Sequence, residues 1–403
     1  MSNIDIFNFP IEIENDSDYL NTFKNKCDEF IIEVNNLKNL PGVIKNYSTD
    51  IDECVKGIKS MRKRIITAYN KYFHGELDKS VRLIRGIIND PKYKPNIIVE
   101  LKKSHAFKNE GYKNTPDLTN LYLFKGRITE VNDSFKKEDM FHIPLNKREL
   151  VSTQRYSIPG VPCLYLAQNS YIAWKELGSP QYDKFCVSAF EILDLNKKII
   201  DLTYPLYYEL DTLQMPDSDY MSRTPIKTRL EILSLWPLIL ATSIKCKKEN
   251  RNFKSEYIIP QLLMYCLDND CIGIAYNSNR IPRNTHMYAS NLAIPILDTK
   301  SKKYGFVKSI IKLTESLNYQ YYLNYIYNYP FLDNVDIHAK GLFNTQAFNT
   351  IGNISTFNKF DISPTSQYGS QYKQTYDGIV DYRYTPHMKF DDYILYYFEL
   401  MSL

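Results

Sequence analysis

The sequence has no marked excess of charge of either sign and no pattern of paired cysteines. Its 50 lysines and arginines nearly balance 46 acidic residues, which leaves a formal charge of +4 over 403 residues. A dedicated nucleic-acid-binding protein needs a concentrated basic surface, so this balance argues against nucleic acid as a partner. The seven cysteines are odd in number and form no Cys-x-x-Cys pair, which excludes a small disulfide scaffold and a zinc ribbon. We therefore expect reduced cysteines that pack as small core residues.

Long hydrophobic runs and the common cofactor motifs are also missing. No segment approaches the roughly 20 consecutive apolar residues of a membrane-spanning helix, and the first twenty residues lack the apolar centre of a signal peptide. A cytoplasmic protein with no membrane partner is the expectation. The chain has no Gly-x-Gly-x-x-Gly or Walker A motif, and its histidines never lie at metal-ligand spacing. No metal is expected.

Amphipathic helices dominate residues 1–115. Apolar residues recur every three or four positions over 20–37, 54–72 and 77–88, with proline or glycine between the segments. This spacing places the apolar side chains on one face of each helix. The sequence therefore predicts a helical bundle over residues 1–115.

The pattern changes over residues 116–318, where short runs rich in β-branched and aromatic residues alternate with helical stretches. This alternation predicts an α+β domain. Strands are expected at 121–128, 162–166, 184–193, 198–201, 273–276 and 291–296, and helices at 171–177, 226–245, 256–267 and 307–317. Residues 319–403 are rich in tyrosine and asparagine with patchy alternation, so we expect an irregular or β-containing C-terminal extension there.

One set of spaced motifs indicates a specific chemistry. Arg155-Tyr-Ser-Ile-Pro-Gly leads to Tyr165, and Glu176 follows eleven residues later in Ala-Trp-Lys-Glu. Further along the chain come Glu256-Tyr-Ile-Ile-Pro-Gln-Leu-Leu, Gly-Ile-Ala-Tyr276-Asn-Ser278 and Asn-Leu-Ala-Ile-Pro. In their order and spacing these pieces resemble the RES domain family over roughly residues 120–300. The helices of residues 1–115 resemble the HEPN-like domain that precedes some RES domains, without the Arg/His pair of its RNA-cleaving members.

The RES resemblance implies an ADP-ribosyltransferase-like core that takes NAD as its substrate and breaks the nicotinamide–ribose bond. Glu176 would stabilise the positive charge that develops on the ribose. Arg155 would grip the pyrophosphate with its planar fork, and Tyr165 would stack on the nicotinamide or hold the ribose. Ser278 would bind the nicotinamide amide or the ribose, and Tyr276 is a further candidate for contacting NAD.

The resemblance leaves one site position and several functional questions open. The family's early basic position falls on Lys125 or Arg127, of which Arg127 is favoured for its fork. The implied function is an NAD glycohydrolase or phosphorylase that acts as a toxin or anti-phage effector. A protein ADP-ribosyltransferase and a catalytically inactive NAD-sensing or protein-interaction module are the alternatives. Possible partners are an antitoxin, an activating protein or a second copy of the chain.

Overall fold

The structure is a computed structural model, and the region that it describes has several gaps. The described residues are 4–104, 106–107, 120–130, 134–214, 224–268, 270–281, 289–297, 303–328, 353–354, 380–381, 386–399 and 401–402. Within these ranges the protein has the expected α+β class, with helices and a mixed sheet.

Three long helices form the N-terminal part, as their periodicity predicts. They are α1 (Tyr19–Asn36), α2 (Ser48–Phe73) and α3 (Leu77–Ile88), and α2 packs against both of the others. A short helix, α4 (Lys94–Ile97), leads directly into a strand of the main sheet. The buried face of each long helix is the apolar stripe seen in the sequence, because burial of that stripe is what stabilises such helices in a folded protein.

In the described part of the chain, nine strands form one mixed sheet. Its order is β10-β5-β3-β4-β9-β8-β6-β2, with β11 also on β5, and all of its pairs are antiparallel except β6 with β8. The strands are β2 (Ile98–Glu100), β3 (Leu121–Ile128), β4 (Cys163–Ala167), β5 (Phe185–Ile192), β6 (Lys198–Asp201), β8 (Cys271–Asn277), β9 (Ser290–Pro295), β10 (Ile311–Leu313) and β11 (Leu317–Asn318).

Two smaller strand pairs and nine further α-helices complete the strands and α-helices of the described residues. β1 (Ile11–Ile13) runs parallel to β7 (Ile244–Cys246), and β12 (Asn353–Ile354) pairs with β13 (Val380–Asp381). The helices are α5 (Lys137–Met140), α6 (Ser170–Glu176), α7 (Leu206–Leu213), α8 (Ile226–Leu233), α9 (Trp236–Ser243), α10 (Ile258–Met264), α11 (Val307–Ile310), α12 (Tyr319–Asn328) and α13 (Pro386–Tyr397).

Three segments differ from the expectation. The single helix predicted over 226–245 is two helices, because Pro237 has no backbone N–H and starts a new helix in the first turn of α9. The helix predicted over 307–317 was wrong beyond residue 310, since the chain there becomes β10 and β11 and pairs with the backbone of β5. In the C-terminal extension, expected to be irregular or β-containing, residues 319–328 and 386–397 form the helices α12 and α13. Much of 329–385 lies outside the described residues.

The hydrophobic cores connect the N-terminal helices with the sheet. The largest buried cluster runs from α1 and α2 to β6, β8 and α7 to α10, and Phe30 of α1 stacks on Trp236 of α9 with ring centroids 4.6 Å apart. A third cluster joins α6 to Tyr319 of α12 and Phe390 of α13. The N-terminal helices therefore pack against the sheet through the first cluster, and the two C-terminal helices pack against α6 through the other.

Candidate active site

A cavity of about 380 Å³ lies between the sheet and the segment that follows β7. Its walls include Lys125 of β3, Tyr165 of β4, Glu176 of α6, Tyr276 of β8, and Arg155. These residues come from five separate parts of the chain. The fold thus brings together five of the seven residues that the sequence indicates.

Strand pairing explains why distant motifs meet here. Tyr165 of β4 lies opposite Ala293 of β9, and Tyr276 of β8 lies opposite Asn291, two positions earlier in the same strand. The chain then turns from β4 into α6, where the Asn169 side chain accepts a 2.9 Å hydrogen bond from the first turn. This cap orients α6 so that Glu176 faces β9.

Glu176 is a half-buried carboxylate with one defined partner. Its Oε1 accepts a 2.8 Å hydrogen bond from Nδ2 of Asn291. Glu176 is the last residue of α6, and a negative charge at the C-terminal end of a helix is unfavourable for the helix dipole. Glu176 therefore does not stabilise α6 electrostatically. Its side chain lines the cavity.

Arg155 is fixed by an aromatic stack and two carbonyl groups. Its guanidinium lies 4.7 Å from the ring centroid of Tyr276, which itself stacks on Tyr156 at 4.2 Å. Nη2 donates to the carbonyl oxygen of Asn277 at 3.0 Å, and Nη1 donates to that of Thr242 at 3.5 Å. A guanidinium has five N–H donors, so these bonds leave capacity to bind an anionic ligand.

Tyr165 and Tyr276, two of the four tyrosines that line the cavity, remain protonated. Burial raises the pKa of Tyr165 and the pKa of Tyr276 well above the usual value of a tyrosine. The Tyr165 hydroxyl donates to the carbonyl oxygen of Tyr156. Both rings are therefore neutral aromatic surfaces, suited to stacking on a flat ring and not to deprotonating a substrate.

Lys125 and Arg127 lie on the same face of β3, and only Lys125 lines the cavity. The Lys125 ammonium donates to the carbonyl oxygen of Phe141, and burial, with a smaller contribution from Arg127, lowers its pKa to about 7. Arg127 is exposed, donates to the carbonyl oxygen of Asp139 and stacks on Phe135 at 4.6 Å. Neither cation points its charge freely into the cavity.

Ser278 also lies outside the residues that line the cavity. It is fully buried, and its hydroxyl accepts a 3.1 Å hydrogen bond from the backbone N–H of Arg280. This contact stabilises the turn after β8, a local role typical of serine.

Sequence reasoning missed a second charged group in the cavity wall. Arg251 pairs with Asp16 of the N-terminal segment and, at 2.5 Å, with Glu256. Glu256 lies in one of the spaced segments of the sequence, but an acid that precedes the apolar helix α10 also suits the helix dipole, and this structural role was the one expected. Lys245, Lys254 and Arg280 also line the cavity, and Glu249 pairs with Lys245 and Arg280.

Two other features of the described residues bear on function. They contain no group of three or more histidine, cysteine, aspartate or glutamate side chains placed to hold a metal ion. None of their helices combines the length and the apolar character needed to cross a membrane.

Comparison with known proteins finds no matching family and no matching solved structure. One similar protein is "Putative toxin YopC" of Bacillus subtilis (strain 168), which is 30% identical over 304 residues. The match covers 74% of this chain and 65% of that protein, so this chain spans just under two thirds of the length of its relative.

Proposed function

We propose that this protein is a toxin that cleaves NAD at the bond between nicotinamide and ribose. The observation that carries the proposal is the convergence of Glu176, Arg155, Tyr165 and Tyr276 on one cavity. A volume of about 380 Å³ is in the range of small-molecule sites. The similarity to a protein named a toxin supports the biological part of the proposal.

Each cavity residue has a role in the proposed reaction. Nicotinamide leaves as a neutral molecule, and the ribose gains positive charge as the bond breaks. The Glu176 carboxylate, oriented by Asn291, stabilises that charge and accepts a hydrogen bond from a ribose hydroxyl. Arg155, held over Tyr276, binds the pyrophosphate through its remaining N–H groups. Tyr165 packs against the nicotinamide or its ribose.

Positive charge for binding a dinucleotide is available in this cavity. Arg155 supplies it inside and Lys254 supplies it in the wall, whereas Lys245 and Arg280 share the carboxylate of Glu249. We assign the pyrophosphate to Arg155 and not to Arg127, since Arg127 is exposed outside the lining and stacks on Phe135. Lys125 has a lowered pKa of about 7, so near neutral pH it is charged only part of the time.

The test is release of nicotinamide from NAD by the purified full-length chain. Glu176→Gln should lower the initial rate by at least about 100-fold, as removal of a group that stabilises transition-state charge commonly does. Glu149→Gln is the matched control, because Glu149 is an exposed carboxylate outside the cavity lining. Equal rates for Glu176→Gln and the wild type would remove Glu176 from the mechanism, and no cleavage by the wild type would refute NAD cleavage.

The products identify the acceptor. ADP-ribose indicates hydrolysis, ADP-ribose 1″-phosphate formed with added phosphate indicates phosphorolysis, and a mass increase on a protein indicates ADP-ribosyl transfer. Toxicity has its own test: induced expression in a bacterial host should stop growth as cellular NAD falls, and Glu176→Gln should restore both. Growth arrest without loss of NAD would support the proposal that the protein is a toxin and refute the proposal that it acts by cleaving NAD. An NAD-degrading toxin needs control in its own cell, so a protein antitoxin is the expected partner.

A further inference from the structure

Glu256 is a second carboxylate in the wall of the same cavity, and one of its oxygens has no protein partner. The residue is 4% exposed. Oε1 accepts a 2.5 Å hydrogen bond from Nη2 of Arg251, whereas Oε2 is buried without any hydrogen-bond partner. An unpaired carboxylate oxygen that is shielded from water is costly, and it is uncommon in folded proteins. Beside a cavity, such an oxygen indicates a ligand group that donates a hydrogen bond to it.

The surrounding contacts hold Glu256 in place from the N-terminal side. Arg251 pairs with Glu256 and with Asp16, and Oδ1 of Asp16 also accepts a 2.8 Å hydrogen bond from the backbone N–H of Ser255. Asp16 follows β1, which pairs with β7 next to the cavity. The Arg251 guanidinium is therefore shared between two carboxylates, and the orientation of the unpaired oxygen is set without the ligand.

A second acceptor in the cavity wall shows the same imbalance. Oδ1 of Asn279 is buried without a partner, while Nδ2 of the same side chain donates to the carbonyl oxygen of Ile244 at 3.5 Å. Glu256 and Asn279 both line the cavity. Two unpaired acceptors make this wall complementary to a group rich in N–H or O–H donors.

We propose that Glu256 binds a hydrogen-bond donor in the adenosine half of NAD, an inference that rests on the function proposed above. Glu176 belongs to the wall made by α6 and β9, whereas Glu256 belongs to the wall made with β1 and β7. With the nicotinamide ribose assigned to Glu176 and the pyrophosphate to Arg155, we assign the other half of the dinucleotide to the part of the same cavity that Glu256 lines. The donor is the exocyclic amine of adenine or a ribose hydroxyl, and both are N–H or O–H groups that a carboxylate binds.

The experiment compares three dinucleotides with the wild type and with Glu256→Gln. NAD, nicotinamide hypoxanthine dinucleotide (an oxygen in place of the adenine amine) and NADP (a phosphate on the adenosine 2′-hydroxyl) are each tested for nicotinamide release. Glutamine keeps the shape and its oxygen still accepts from Arg251, but it presents an N–H₂ donor where Oε2 was. The wild type should prefer NAD about 10- to 100-fold over the analogue that lacks the bound donor, since this is the usual value of a hydrogen bond to a charged group.

The substitution should reduce that preference at least about tenfold, and the change should appear in KM more than in kcat because the contact binds the ligand and does not act in bond cleavage. Loss of preference over the hypoxanthine analogue assigns the adenine amine. Loss of preference over NADP assigns the ribose hydroxyl. Glu149→Gln should leave both ratios at their wild-type values, and thermal melting verifies that Glu256→Gln is folded.

Failure of this inference can be told apart from failure of the proposed function. If the wild type releases nicotinamide but treats all three dinucleotides alike, the role of Glu256 is refuted while NAD cleavage stands. Because that comparison uses the wild type, it decides the matter even where the variant does not fold. Unchanged ratios in a folded Glu256→Gln also refute the role. If the wild type neither binds nor cleaves NAD, both proposals fall.

Discussion

Replacement of Asn291 by aspartate offers a sharp test of Glu176, because it changes charge without changing shape. Nδ2 of Asn291 lies 2.8 Å from Oε1 of Glu176, so the substitution would place two carboxylates in contact. Two such groups do not both ionise and instead share a proton. At an effective dielectric constant of about 20, the repulsion between unit charges 4 Å apart is about 4 kcal/mol, or about three pH units. Solvent at this half-buried site weakens the repulsion between the two carboxylates, so we expect the pair to keep its proton to a pH about one to three units higher.

The assay is the initial rate of nicotinamide release between pH 5 and 9. In Asn291→Asp the carboxylate pair holds its proton to higher pH, so the acid limb of the pH–rate profile should move upward. The matched variant Asn291→Ala removes the hydrogen bond without adding charge. It should lower kcat by about 10- to 100-fold, and its acid limb should move less than that of Asn291→Asp because no second carboxylate is added. The same pH profile in both variants would show that ionisation of Glu176 does not control the rate.

Three further predictions follow from the contacts. Arg155→Lys should raise KM for NAD about tenfold or more in steady-state kinetics, because an ammonium cannot reproduce the stacked, forked guanidinium; an unchanged KM would contradict pyrophosphate binding there. Lys125 has a pKa of about 7 in the folded protein, compared with an ordinary value of 10.5. Between these two pH values the unfolded chain binds more protons at this site than the folded protein does. The free energy of unfolding that this site contributes therefore rises with pH across the interval. Urea unfolding of Lys125→Met at pH 6.5 and 9.5 should lack that rise, and a rise equal to that of the wild type would refute the burial of a charged lysine. Gly273→Ala should lower the free energy of unfolding by at least about 2 kcal/mol, since its Cβ would lie 2.5 Å from the backbone oxygen of Ala293, whereas Gly86→Ala on an open helical surface should raise it by about 0.5–1 kcal/mol.

Most of the regular structure could be predicted because it depends on local periodicity. The apolar spacing in α1 to α3 and the runs of β-branched and aromatic residues in β3, β5 and β6 identify these elements within a few residues of their ends. The failure at residues 311–318 has a long-range cause. A segment with weak preference becomes a strand when an open strand edge is available, and β5 provides that edge.

The site could be predicted only in part. The spacing of Arg155, Tyr165 and Glu176 indicated residues that the fold brings to one cavity. The preference for Arg127 over Lys125 was wrong as to which residue reaches that cavity. Both lie on one face of β3, but Lys125 is half-buried and Arg127 is exposed.

By itself, then, the sequence determined the α+β class and the three N-terminal helices, because both depend on patterns within a short stretch of chain. Its resemblance to a known family indicated five of the residues that meet at the cavity. Tertiary structure alone decided that Asn291 orients Glu176 and that Glu256, which pairs with Arg251, has an unpaired oxygen in the wall of the same cavity. Pairing between residues more than a hundred positions apart creates these contacts. Burial then decides which polar atoms lack a partner. Neither the long-range contacts nor the unpaired atoms can be predicted from a local sequence pattern.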